Sequence, residues 1–243
     1  MGHIIYPSVH TQEGDGAEVN RLFPVPGRLM NYDPFVLWDN FRIRPGAGFP
    51  SHPHRGFEAI TYLFEGAISH EDNLGNRSTV TAGGAQRFTA GKGIVHSEMP
   101  GNDEESHGIQ LWINLPQRLK SIDPDYQEVI TADIPQVDFD GGRVRQIVGN
   151  GSPLRLHTGV IYQEVRLEQG ADYSFEMPAT HKGFLYLVGG ELALDATQIP
   201  AGSACFLEPG QAHAFHATRD SHFMLCSGTP HHQPINQHGP FVD

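Results

Sequence analysis

Two short segments of the chain carry residue types that bind divalent metal ions. His52 and His54 lie two residues apart in FPSHPHRGFE, and His96 and Glu98 have the same spacing in GKGIVHSEMP. In a β-strand, residues i and i+2 point to the same face. If both segments are strands with these faces inward, three imidazoles and one carboxylate meet at one point. That set is suited to a divalent transition metal.

Four protein ligands would leave a six-coordinate ion two open positions for water, dioxygen or a substrate oxygen. A single H-x-H pair is weak evidence in a chain with 15 histidines, because chance alone produces such pairs. Two pairs with identical spacing, each beside a glycine-rich turn, favour a metal site over polar residues in turns. Glu58, which follows His54 closely, is a second candidate for the carboxylate.

The elements that must position these residues have the pattern of short strands joined by turns. The chain contains 28 Gly and 18 Pro, which favours turns over long helices. Apolar segments at 59–66 and 108–116 each predict a strand. AISHEDNLGNRSTV (67–80) predicts a strand, a turn at Asn73–Asn76 and a second strand. We therefore expect an all-β fold.

The second half of the chain repeats the pattern of the first. GFLYLVGGELAL (183–194) parallels GFEAITYLFEGAISH (56–70), and both predict a strand, a glycine turn and another strand. Gly83 matches Gly202 and His96 matches His213 at nearly the same offset. This predicts two β-barrel or jelly-roll domains related by duplication. We place them at residues 1–125 and 126–243, with the connection within 116–140.

The C-terminal domain is expected to lack a metal site. Of the ligand positions it keeps His213, while the positions of His52 and His54 fall near Glu176 and Pro178. One histidine, even with His181 or His216 nearby, is a poor ligand set. We expect a structural or partner-binding role for this half.

Composition restricts the location and the partners. A net charge of -12 disfavours direct binding to nucleic acid, whose phosphates it would repel. The chain has no apolar run of about 18 residues and no secretory signal. We therefore expect a cytoplasmic protein without a membrane partner. Its two cysteines, Cys205 and Cys226, are expected to be buried thiols.

The two histidine segments resemble the motifs of the cupin superfamily. The first cupin motif is matched at Gly46, His52, His54 and Glu58, but seven residues instead of the motif's six separate Glu58 from Gly66. The second is matched only at Gly93 and His96. More specifically, HPHRGFE, DNLGNR, TAGKGIVHSEMP and GPFV resemble the pirin family, and this resemblance extends over nearly the whole chain.

The resemblance implies a bicupin, a pair of β-barrels, with one non-haem iron in the N-terminal barrel. The implied ligands are His52, His54, His96 and Glu98. The general cupin motif would instead make Glu58 the carboxylate ligand; a bend at Gly56 would separate it from His54, and we rank Glu98 first. Fe(II) is the implied ion, although Mn, Ni, Co, Cu and Zn also accept histidine and carboxylate ligands.

For function, the resemblance to bacterial pirin-like proteins implies a quercetin 2,3-dioxygenase that opens a flavonol with O2 and releases carbon monoxide. Glu98 would be its general base, and Phe49, Phe57 and Met99 are candidates for the pocket wall. The resemblance to animal pirins implies an alternative, a non-enzymatic, iron-binding, redox-responsive regulator with a protein partner. Sugar isomerisation and oxalate oxidation fit the pirin-like segments less well. We expect a monomer, because two barrels in one chain remove one reason to dimerise.

Overall fold

A computed structural model of the protein describes residues 3–243, and its regular structure consists almost entirely of β-strands. Strands account for 62% of the residues, which confirms the predicted all-β class. The helical segments of the described residues are two 3-10 turns, Gln117–Leu119 and Thr131–Asp133. Within residues 3–243, no helix has the length and hydrophobicity that crossing a bilayer requires.

The described residues form 22 strands, numbered in chain order. The first twelve are β1 (Ile5–Pro7), β2 (Val9–Glu13), β3 (Ala17–Phe23), β4 (Phe35–Ile43), β5 (Phe49–His54), β6 (Phe57–Glu65), β7 (Ala67–Asp72), β8 (Arg77–Thr81), β9 (Ala85–Thr89), β10 (Ile94–Pro100), β11 (Ser106–Asn114) and β12 (Asp125–Val129). The others are β13 (Gln136–Phe139), β14 (Gly142–Val148), β15 (Val160–Leu167), β16 (Asp172–Glu176), β17 (Lys182–Leu194), β18 (Thr197–Pro200), β19 (Ser203–Leu207), β20 (Ala212–Gly228), β21 (Gln237–His238) and β22 (Phe241–Val242).

The chain divides into two compact units. The N-terminal unit consists of Val9–Asp133 and His231–Asp243, and the C-terminal unit of residues 3–8 and Ile134–Pro230. The division expected between residues 125 and 126 falls at the start of β12, which pairs with β9 in the N-terminal unit. Each unit also includes a segment from the opposite end of the chain. These segments are too short to carry a sequence signature of the unit they join.

Two main antiparallel sheets build the N-terminal unit, which also contains the two-stranded sheet of β21 and β22. The larger has the strand order β12-β9-β6-β11-β4-β3-β2, and the smaller has the order β5-β10-β7-β8. One buried cluster combines residues of the larger sheet, such as Val19 and Phe41, with Ile68 and Val80 of the smaller sheet. The apolar faces therefore pack against each other, and each large side chain buried there contributes about 1.5–3 kcal/mol.

Gly66 carries the chain from one of these sheets to the other. β6 belongs to the larger sheet and β7 to the smaller, and Gly66 between them has a φ of +73°. A Cβ at this position would lie 2.6 Å from the carbonyl oxygen of Glu105. Only glycine fits here without strain. The turn expected at Asn73–Asn76 is also present, between β7 and β8.

One nine-stranded sheet builds the C-terminal unit, with β1-β19-β17-β20-β15-β14-β13 as its main path. The glycine turn predicted within 183–194 is wrong, because β17 is a single strand. Gly190 has a φ of +93°, but it lies where the register of β17 with β20 shifts. A glycine with positive φ forms a β-bulge as readily as a turn. Cys205 and Cys226 are free and buried in this unit, as predicted.

Candidate metal centre

Strands β5 and β10 bring the three predicted histidines together. The two strands pair antiparallel, with His52 opposite His96. The ring centroids of His52 and His96 are 4.5 Å apart, those of His52 and His54 4.6 Å, and those of His54 and His96 5.0 Å. Among the described residues, these three form the group whose ligand atoms all lie within 4.8 Å of one another.

Backbone carbonyls determine which nitrogen of two of these rings carries the proton. Nδ1 of His52 donates to the carbonyl oxygen of Pro50 at 2.8 Å, and Nδ1 of His54 donates to that of Pro240 at 3.1 Å. A carbonyl oxygen only accepts, so the proton of each neutral ring lies on Nδ1. Nε2 of both rings therefore keeps a free lone pair, the form in which imidazole binds a metal.

His96 supplies the observation that tests whether the site fits a metal ion. Its side chain is buried, and Nε2 has no hydrogen-bond partner within the described part of the chain. Burial and the nearby His52 and His70 lower the pKa of His96 well below its ordinary value. Burial, His96 and His52 lower the pKa of His54 to about 3. Neutral rings and a buried nitrogen without a partner fit a bound cation.

Glu98 lies on β10 beyond a register shift that follows His96. Its Oε1 accepts hydrogen bonds from Thr61 Oγ1 at 2.7 Å and Gln86 Nε2 at 2.6 Å, and its Oε2 accepts one from Gln110 Nε2 at 2.9 Å. The three donors stand side by side on β6, β9 and β11 of the larger sheet. Glu98 is outside the three-histidine group, so its assignment as fourth ligand stays a prediction.

Glu58 occupies a different environment. It is completely buried, and it accepts a hydrogen bond from Thr89 Oγ1 at 2.9 Å. Gly56, with a φ of +87°, lies between the end of β5 and the start of β6. The bend ends the alternation of faces, so Glu58 does not share the face of His54 through strand parity.

A second pair of residues lies behind His96, and our sequence reasoning did not identify it. Nδ1 of His70 is 3.4 Å from Nδ1 of His96, and Nε2 of His70 donates to Asp72 Oδ2 at 3.1 Å. The His70 ring stacks on Tyr126 with centroids 4.2 Å apart. The available signal was the i, i+2 spacing of His70 and Asp72, the same spacing as in the two ligand segments.

A cavity of about 470 Å3 opens beside the histidines. His52, His54 and Glu98 line it together with the apolar residues Val19, Leu37, Phe41, Ile43, Phe49, Ile68 and Trp112. Phe49 therefore occupies the wall position that was expected for it. Phe57 is not part of the lining, and its ring stacks on that of Trp112 with centroids 4.1 Å apart. The side chain of Met99 lies beside Gly48.

Arg21 and Asp39 form an ion pair in the cavity wall. Arg21 donates to Asp39 through Nε at 2.8 Å and Nη2 at 2.7 Å, and its Nη1 is 2.7 Å from Glu13. Burial raises the pKa of the Asp39 carboxyl to about 6, although its hydrogen bonds with Arg21 oppose the rise. The pair therefore adds a fixed polar group to a wall that also contains Thr61, Glu98 and Gln110.

Two family models match the chain, one described as Pirin over residues 16–113 and one described as Pirin C-terminal cupin domain over residues 162–243. This chain belongs to the pirin family. The two matches also confirm the predicted bicupin organisation. A pirin-like protein of Solanum lycopersicum is 41% identical over 95% of this chain and 82% of its own length. Pirin of Homo sapiens is 40% identical over 95% of this chain and 83% of its own length.

Solved structures resemble the whole pirin-family fold. Quercetin 2,3-dioxygenase from Acinetobacter baumannii has a TM-score of 0.90 and 28% identity, covering 98% of this chain and 90% of its own. Bacterial pirin YhhW from Escherichia coli, in complex with nickel(II), has a TM-score of 0.77 and 25% identity. That similarity covers 93% of this chain and all of the YhhW chain.

The histidines of the pirin C-terminal cupin domain have local partners. His213 donates from Nε2 to the carbonyl oxygen of Glu208 at 2.9 Å. His181 forms a hydrogen bond with Ser227 at 3.0 Å, and His216 pairs with Asp172 at 2.9 Å. Among the described residues, these three do not form a group of close ligand atoms.

Proposed function

We propose that this member of the pirin family is a metal-dependent dioxygenase that cleaves a flavonol such as quercetin with O2 and releases carbon monoxide. The observation that carries the proposal is the meeting of three histidines beside a cavity of about 470 Å3. That volume suits a small aromatic molecule. The likeness to a quercetin 2,3-dioxygenase over nearly the whole chain supports the same reaction class.

We assign His52, His54 and His96 as ligands of one Fe(II) ion, with Glu98 as the fourth. Oε2 of Glu98 accepts one hydrogen bond, so it keeps a lone pair for this role. Glu98 lines the cavity, whereas Glu58 is not part of its lining. These positions favour Glu98 as the carboxylate. When bound, the metal supplies positive charge that lowers the pKa of a substrate hydroxyl and provides open positions for oxygen ligands.

The residues of the site have separate tasks in this proposal. Glu98 accepts the proton of the flavonol hydroxyl that ionises, since a carboxylate next to the substrate oxygen is placed as a general base. Thr61, Gln86 and Gln110 hold that carboxylate in position. Phe49 and Trp112 contribute flat apolar surface to the cavity, which orients a planar ring system and excludes water.

Activity of the Fe(II)-loaded protein tests the proposal. We expect quercetin to be consumed with release of carbon monoxide, and His96→Ala to abolish both. His216→Ala, which changes a half-exposed histidine of the C-terminal unit, is the matched control and should keep both. Metal-replete protein that turns over no member of a flavonol panel would overturn the proposal.

The second candidate is an iron-binding regulator that acts through a protein partner. The observation that favours it is that relatives near 40% identity, including the human protein, are named pirin. Those named quercetin 2,3-dioxygenase are 28% identical or less. Metal-replete protein without turnover, whose affinity for a partner changes with iron oxidation state, would support this candidate.

A further inference from the structure

We propose that Asp72 and His70 form a relay that fixes the tautomer of His96 and keeps its Nε2 available to a metal ion. The relay rests on the metal site of the proposed function and is independent of the dioxygenase reaction. His70 and Asp72 are positioning residues in this proposal, because they act through His96. Their side chains are fully shielded from solvent.

The relay begins at Asp72, whose carboxylate is surrounded by donors. Oδ1 accepts hydrogen bonds from the backbone N–H of Leu74 at 2.9 Å and of Asn76 at 3.0 Å. Oδ2 accepts one from Asn76 Nδ2 at 2.8 Å, and His70 Nε2 lies 3.1 Å away. Backbone N–H groups can only donate, so the turn after β7 holds Asp72 as an acceptor. This assigns a task to the DNLGNR segment, which the proposed function does not use.

The state of Asp72 determines the state of His70. A carboxylate only accepts, so Nε2 of His70 carries the proton of this contact. A neutral imidazole has one ring proton, which leaves Nδ1 of His70 as an acceptor. That Nδ1 faces Nδ1 of His96 at 3.4 Å. The stacked ring of Tyr126 holds the plane of His70.

The state of His70 in turn determines the state of His96. Because Nδ1 of His70 accepts, Nδ1 of His96 must donate, and the lone pair of His96 lies on Nε2. This nitrogen is the buried atom without a partner. The relay therefore gives His96 the tautomer that the carbonyls of Pro50 and Pro240 give to His52 and His54. All three rings then present Nε2 as a ligand.

Asp72→Asn should reverse the relay with little change of shape. The amide oxygen must stay at the position of Oδ1 to accept from the backbone N–H groups of Leu74 and Asn76, so the amide nitrogen replaces Oδ2 and donates to His70. The side-chain amide of Asn76, which donates to Oδ2 in the wild type, turns over so that its oxygen accepts from the new amide nitrogen. Nε2 of His70 then accepts, its Nδ1 carries the proton, and His96 must carry its own proton on Nε2. That proton weakens metal binding, because Nε2 has to lose it before the nitrogen can bind the ion.

The experiment measures the tautomer and the metal affinity separately. We would record 15N NMR spectra of the histidine rings in metal-free protein at about pH 8, where free imidazole is neutral. Competition titrations would then measure the affinity for Ni(II) alone. His70→Phe, which keeps an aromatic ring next to Tyr126 but removes the acceptor, is the second variant. Asp172→Asn is the matched control, because Asp172 also pairs with a histidine, His216.

We expect His96 to be protonated at Nδ1 in the wild type and at Nε2 in Asp72→Asn, with a mixture in His70→Phe. Ni(II) affinity should fall about 10- to 100-fold in both variants, as for other residues that orient metal ligands, and Asp172→Asn should retain it. An unchanged His96 tautomer in both variants, or unchanged Ni(II) affinity despite a changed tautomer, would overturn the proposal. A wild type that binds no metal would contradict the proposed metal site, whereas the spectra of metal-free protein would still decide the relay.

Discussion

The imidazole of His54 donates from Nδ1 to the carbonyl oxygen of Pro240, which lies 186 residues later in the chain, at 3.1 Å. Lys120 fixes the segment that supplies this carbonyl, because its Nζ donates to the carbonyl oxygens of Gly56 at 2.9 Å and Val242 at 2.8 Å. The backbone N–H of Val242 also donates to the carbonyl of Arg55 at 3.0 Å. The C-terminal segment is therefore part of the candidate metal centre.

This contact predicts that Gly56→Ala weakens both the fold and metal binding. A Cβ at Gly56 would lie 1.8 Å from the carbonyl oxygen of Val242, so the C-terminal segment would have to move. Gly170→Ala is the matched control, since Gly170 in the C-terminal unit has the same φ of +87° but no atom within 4 Å of such a Cβ. The control should lose only the about 1–2 kcal/mol that a residue with a Cβ costs at positive φ.

Urea denaturation and Ni(II) titration would measure the difference between these two variants. Gly56→Ala should lose at least about 2 kcal/mol more than Gly170→Ala, and only Gly56→Ala should bind Ni(II) more weakly. Equal losses of stability with unchanged affinity would show that the C-terminal segment does not support the site.

The buried histidines predict a pH dependence of stability in the metal-free protein. The pKa of His54 is lowered to about 3 in the folded state, against about 6.5 in the unfolded chain. Between these values the unfolded chain binds a proton that the folded chain does not. The free energy of unfolding is therefore unaffected by this histidine above about pH 6.5 and falls as the pH is lowered towards 3. Each such buried histidine lowers it by at most about 1.4 kcal/mol per pH unit.

His54→Gln/His96→Gln removes both titrating groups, because the pKa of His96 is lowered in the same direction. The free energy of unfolding, measured in urea with a chelator present, should depend less steeply on pH below about 6.5 in the double variant. Identical slopes would contradict the assignment of these rings as neutral in the fold.

The two carboxylates near the histidines predict opposite results when each becomes an amide. Glu98→Gln should lower Ni(II) affinity by at least about 10-fold and stop flavonol turnover, since it removes the proposed ligand and base. Glu58→Gln should keep the metal and lose about 1–3 kcal/mol of stability, because it disturbs the buried carboxylate that accepts a hydrogen bond from Thr89. Metal analysis and urea denaturation of both variants would decide. Metal loss in Glu58→Gln alone would transfer the ligand role to Glu58.

The Arg21–Asp39 pair predicts a loss of stability that depends on pH. Arg21→Met leaves the Asp39 carboxylate buried without its bidentate partner, which costs about 3–5 kcal/mol when the group is charged. The pKa of Asp39 is already raised to about 6 by burial, and removal of Arg21 raises it further. The defect should therefore be larger at about pH 8 than at about pH 5, where the carboxyl is protonated.

Unfolding in urea at the two pH values measures this effect, and Arg21→Met/Asp39→Asn is the control. The double variant has no buried charge at this position, so its stability should differ less between the two pH values. A single variant whose defect is the same at both pH values would show that the charge of Asp39 is not the cause.

Much of this site follows from local sequence rules. Strand alternation selected His52, His54 and His96, and the structure brings them together because β5 and β10 are neighbours. Glycine at position 56 indicated a bend, and that bend separates Glu58 from the ligand strand. The same reasoning was wrong at 183–194, where a glycine with positive φ forms a bulge within β17. The local pattern does not distinguish a turn from a bulge, because pairing with β20 decides between them.

The sequence by itself determined the all-β class, the duplication and the three histidines, since these depend on the geometry of a single strand and on spacing along the chain. Only the tertiary structure decided which groups surround them. The carbonyl behind His54 comes from Pro240, the partner of His96 comes from β7, and the donors to Glu98 come from three strands of the opposite sheet. These neighbours are selected by the burial of apolar faces between the sheets. That burial joins residues far apart in sequence and leaves no spacing by which they could be recognised.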